Sequence, residues 1–90
     1  MIIKVGAIPY KVVYVDYVVD GIAEICRESS EIRILKILPE NQKEACLLHE
    51  ILHAMNNELT EFEVEAMAQM FYQVIKENPD TFSMRIPEET

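Results

Sequence analysis

Leu47-Leu48-His49-Glu50-Ile51-Leu52-His53-Ala54-Met55 is the stretch on which the reading of the fold turns. Leu48, Ile51, Leu52 and Met55 recur at i, i+3, i+4 and i+7, which lays them along one face of a helix. Pro39-Glu40-Asn41 marks its start, where Glu40 and Glu44 suit the positive N-terminal end of a helix dipole. Asn56-Asn57 is a stop. A second helix is predicted from Thr60, because Thr60 and Glu63 form a capping-box pair in which each side chain satisfies a free N–H of the first turn. Val64, Met67, Phe71 and Val74 are its predicted buried stripe, and Asn78-Pro79 ends it.

Before Pro39 the period is different. Ile2-Ile3-Lys4-Val5 reads as a short strand and Gly6-Ala7-Ile8-Pro9 as a turn, with Pro9 opening the next strand. Tyr10 to Tyr17 is rich in valine and tyrosine and places Tyr10, Val12 and Tyr14 on one face. Asp20-Gly21 is a turn dipeptide. Ile22 to Cys26 alternates again, Glu28-Ser29-Ser30 turns, and Ile32, Ile34 and Lys36 mark a last strand. The expectation is an α+β domain over residues 1–79: three or four mainly antiparallel strands joined by tight turns, then two packed helices that carry the site. Residues 80–90 read as a C-terminal tail.

Composition narrows the function classes. The chain has 90 residues, half of them apolar, with two glycines and four prolines. That suits one small globular domain without a linker or repeat. A formal net charge of −8 argues against phosphate contacts and hence against nucleic-acid binding, and it mildly favours cations. Lys4, Lys11 and Asp16 interrupt the N-terminal apolar runs, so no signal peptide is expected. No run approaches the roughly 18 apolar residues of a membrane span. Cys26 and Cys46 lie far apart without a pairing pattern, which suits free buried thiols and a cytoplasmic protein.

The chemistry is concentrated in one place. The protein has two histidines, and both fall in His49-Glu50-Ile51-Leu52-His53. On a helix, i and i+4 lie about 40° apart around the axis and about 6 Å apart along it, so both imidazoles can reach one ion. Imidazole nitrogens suit Zn²⁺. Glu50 is placed to take a proton from a water that the ion activates. A catalytic zinc site needs a third protein ligand and an open position. Glu65 is the first choice, because two antiparallel helices joined through their apolar faces would bring it towards His49 and His53. Glu61 and Glu63 are rivals: Glu63 is engaged by the cap and Glu61 sits at the helix start. Cys46, three residues before His49, is a further candidate.

His49-Glu50-Ile51-Leu52-His53 followed by Glu65-Ala66-Met67-Ala68-Gln69 resembles the gluzincin pattern. Together with Phe71-Tyr72-Gln73-Val74-Ile75-Lys76-Glu77-Asn78-Pro79, the region from about Gly21 to Pro79 resembles small phage and prophage zinc metallopeptidases. These are distantly similar to the ImmA/IrrE family. The resemblance implies a zincin-like fold in which His49, His53 and Glu65 bind zinc and Glu50 is the general base. Gln69 falls where such proteins place an Asp or Asn that orients a ligand histidine. Tyr72 would donate a hydrogen bond to a developing oxyanion.

The expected function is hydrolysis of peptide bonds in a peptide or protein substrate, with an extended substrate pairing along the strand at about Glu31 to Ile37 if that strand is a sheet edge. The alternative is a non-catalytic zinc-binding module that regulates or binds another protein, with metal binding adding to stability. Phe82, Met84 and Ile86 alternate like a short strand that could cover the site.

Overall fold

The computed structural model describes residues 1–82. Four strands precede two helices: β1 (Ile2–Val5), β2 (Ile8–Val15), β3 (Ala23–Cys26), β4 (Glu31–Leu35), α1 (Glu40–Met55) and α2 (Glu61–Glu77). The α+β expectation holds. Met84 and Ile86, on which the covering role expected of the tail rests, lie outside the described residues.

β1 and β2 form a hairpin whose register closes at Val5 and Ile8. This leaves a two-residue loop, Gly6-Ala7. Gly6 has φ +61, a conformation that carries no side-chain clash only in glycine. Pro9 lies inside β2, opposite Lys4.

The strand order is β1-β2-β4-β3. β3 and β4 pair antiparallel, while β4 pairs parallel with β2. The sheet is therefore mixed and mainly antiparallel, as expected, with the β2–β4 pairing as its parallel junction. Asp20-Gly21 does not close a hairpin. The connection from Val15 to Ala23 carries the chain past the slot that β4 later fills, and β3 then turns back through Arg27–Ser30 to deliver β4 into it. Ser30 has φ +53 at the end of this turn.

The consequence for the site is that β4 is an inner strand and β3 an edge. The sheet edge expected at Glu31 to Ile37 is corrected to Ala23–Cys26.

Tyr10 and Val12 from β2 and Ile32 and Ile34 from β4 are buried, and Cys46 and Leu47 of α1 pack against them. Tyr14 lies against the same cluster, as the alternation predicted. Ile32 and Ile34 are 0% exposed, and each contributes about 1.5–3 kcal/mol by leaving water. α1 lies across β3 and β4 and also touches β1. Among the described elements α2 packs on α1 alone, through Val64 and Ala68 against Leu52.

The predicted stripe on α2 is corrected accordingly. Met67, Phe71 and Val74 are exposed, as is Met55 at the end of α1. α2 is apolar on several sides, so its period alone does not select a face. The face that carries the small Ala68 turns inward, which lets the two helices approach.

The helix ends agree with the sequence. α1 starts at Glu40 with Pro39 as N-cap, and α2 has the full Thr60/Glu63 capping box. Asn56 and Asn78 are the C-caps.

Candidate metal centre

α1 presents His49 and His53 one turn apart, with ring centroids 5.0 Å apart and planes tilted by 57°. Both side chains are largely buried, at 16% exposure. Their backbone is anchored from the sheet, since Arg27 Nη2, in the β3–β4 turn, donates to the His53 carbonyl at 2.7 Å. That cation also sits at the negative C-terminal end of α1.

α2 supplies the carboxylates. Glu61 Oε2 lies 3.4 Å from His49 Nε2, and Glu61 Oε1 contacts His53 Nε2. One donor atom from each of His49, His53 and Glu61 lies within 4.8 Å of the others, a spacing that can hold a metal ion. Glu65, one turn further along α2, is not in that group. Its Oε2 faces the other ring nitrogen of His49, Nδ1, at 3.0 Å. Its Oε1 accepts from Gln69 Nε2 at 2.8 Å. Glu63 is held by the cap, with Oε1 accepting from Thr60 N at 2.9 Å. Cys46 is buried in the sheet–helix core.

Glu61 was set aside in the sequence because it opens a helix. The capping box that fixes the first turn of α2 is the signal that removes this objection: Thr60 Oγ1 accepts from Glu63 N at 3.1 Å, so Glu61 and Phe62 between them are not frayed.

Glu50 points to the inner side of the same helix and is 6% exposed. Among the described residues, no side chain donates a hydrogen bond to it. Burial pushes its carboxyl above the usual range; His49 and His53 oppose this, and Glu61 and Glu24 add to it. A buried carboxylate that retains its proton affinity is chemically suited to accepting one.

Tyr72 has a partner on α1. Its hydroxyl donates to Glu44 Oε1 at 2.9 Å, and Lys76 Nζ reaches the same oxygen at 3.1 Å. Glu44 is buried. The three residues make a polar bridge between the start of α1 and the end of α2. Burial, and then the Glu44 carboxylate, push the Tyr72 phenol up to about 12.

Comparison with protein-family models, with curated proteins and with solved structures finds no match to this chain.

A cleft of about 780 Å³ runs between β3, α1 and α2. His49, Glu50, His53, Glu61, Glu65 and Tyr72 all line it. The opposite wall is β3 with the Asp20–Ile22 segment before it. The outer edge of β3 pairs with no strand among the described residues, so its backbone N–H and C=O groups are open to pairing. No described helix is long and apolar enough to cross a membrane.

Proposed function

We propose that this chain is a zinc-dependent peptidase whose ion is held by His49, His53 and Glu61. The observation that carries the reading is the pairing of an open three-residue donor set with Glu50, a buried carboxylate that accepts no hydrogen bond among the described residues. Structural zinc sites close with four protein ligands, whereas catalytic ones keep three and leave a position open. Three donors facing a cleft favour catalysis over the non-catalytic module.

The two sides of His49 support a division of labour between the glutamates. Nε2 faces Glu61 and Nδ1 faces Glu65. With Nε2 directed to the ion, Nδ1–H donates to Glu65, which fixes the tautomer and raises the basicity of the imidazole. Gln69 in turn holds Glu65. The resemblance assigned Glu65 to the ion itself; this geometry favours Glu61 there and gives Glu65 the orienting role.

When bound, the zinc ion supplies Lewis acidity and activates water near neutral pH. Glu50 accepts the proton of the attacking water and delivers it to the leaving amine. The free edge of β3 aligns an extended peptide by backbone hydrogen bonds. Tyr72 is held on Glu44, so it shapes the wall of the cleft.

The test is hydrolysis of a fluorogenic peptide set by the zinc-loaded protein and by Glu50→Gln. The variant is expected to keep its zinc and lose about 10²-fold or more in rate, the usual size of general-base catalysis. Unchanged hydrolysis in Glu50→Gln would contradict the assignment.

A further inference from the structure

The cleft has a one-sided charge. Asp20, Glu50, Glu61 and Glu65 line it, and no lysine or arginine does. Glu24 also lines the cleft, with its carboxylate paired to Arg33 at 3.4 Å. Nearby cations are engaged elsewhere, Arg27 on the His53 carbonyl and Lys76 on Glu44. A divalent ion would offset two of these negative charges and leave the cleft negative.

Carboxylates on a surface are common and mean little. Here they surround Glu50, which is 6% exposed, lines the cleft and receives no hydrogen bond among the described residues. They also face β3, whose outer edge pairs with no strand among the described residues. Asp20 stands at the β3 side of the cleft and forms no ion pair among the described residues, so its charge is available to a ligand. The metal-side wall runs along α1 from Gln42 to His53. That is about 16 Å at the helical rise, room for about five residues of extended peptide.

Resting on the peptidase reading, the geometry points to a substrate class: peptides with lysine or arginine close to the cleaved bond, read by Asp20 across the cleft from the metal centre. A low-dielectric cleft lined by one sign of charge concentrates ligands of the opposite sign, and the effect falls as salt rises. It also rejects acidic peptides, because a carboxylate entering it would meet like charge at close range.

The test uses three peptides of one length, matched except for lysine and arginine, alanine and glutamine, or aspartate and glutamate around the scissile bond. kcat/KM of the zinc-loaded protein is measured at low and high salt, and binding of the same peptides is measured to Glu50→Gln. The expected order is basic over neutral over acidic. The basic-to-acidic ratio should be about tenfold or more at low salt, shrinking at high salt and falling severalfold in Asp20→Asn. Equal cleavage of all three peptides would overturn the charge selection and leave the peptidase reading standing. Salt-sensitive preference for the basic peptide in binding, without hydrolysis of any peptide, would support the acidic cleft as a recognition surface and overturn the peptidase reading. Neither hydrolysis nor preferential binding would overturn both.

Discussion

Replacing Tyr72 by phenylalanine separates two roles for its hydroxyl. In the structure that hydroxyl donates to the buried Glu44 carboxylate at 2.9 Å. A hydrogen bond to a charged group contributes about 1.5–3 kcal/mol. Lys76 remains on the same oxygen at 3.1 Å, so the loss should fall near the lower end, about 1.5 kcal/mol. For a domain of this size that lowers Tm by about 6–12 °C. Urea unfolding of the metal-free protein avoids the added stability of bound ion. A double-mutant cycle with Glu44→Gln should give a coupling of about 1 kcal/mol, because the two side chains touch. The pH dependence has a definite sign. The phenol titrates at about 12 in the folded chain, against an ordinary value of 10. Its contribution is therefore complete below pH 10 and is lost as pH rises from 10 through about 12. Tyr72→Phe should remove that alkaline loss. The reasoning is refuted if Tyr72→Phe unfolds like the wild type at every pH while hydrolysis falls by about 10²–10³, the cost of losing an oxyanion donor.

The glutamates and the cysteines give two further tests. Glu65→Gln should weaken zinc binding by about 10–100-fold, the usual effect of losing a contact to a ligand histidine, and Glu61→Gln should weaken it more; zinc titration against a competing chelator reads both, and the reverse order would return the ion to Glu65. Hydrogen bonds from Ser29 lower the Cys26 thiol, whereas burial and then Glu50 and Glu65 raise that of Cys46. Near pH 8 Cys26 should alkylate well before Cys46, because the thiolate is the reactive form; mass spectrometry of partly alkylated protein checks the order, and faster labelling of Cys46 would contradict the buried position.

Local signals in the sequence carried the elements and their ends. Thr60 and Glu63 announce the start of α2, and His49 and His53 at i and i+4 announce a shared helical face. Both are interactions between residues three or four apart, which the chain encodes by spacing alone. The neighbour order of the strands is different in kind. Alternation in Ala23–Cys26 and Glu31–Leu35 says which face is buried, but not that β4 enters beside β2 and leaves β3 at the edge. The inward face of α2 was hidden for a related reason. Phe62, Met67, Met70 and Phe71 spread apolar surface around the helix, and the choice of Val64 and Ala68 depends on how closely α1 can approach. Glu61 was visible as a candidate, and its neighbour's cap held the clue to its order. The Tyr72–Glu44 contact spans 28 residues, and no local pattern marks it.

The central claim is that His49, His53 and Glu61 form one metal site. Isothermal titration of the metal-free protein with zinc, beside His49→Ala and His53→Ala, tests it most directly. The account predicts one zinc per wild-type chain and the loss of that binding in each variant. A wild type that binds no zinc, or a His53→Ala variant that binds it as tightly as the wild type, would contradict it.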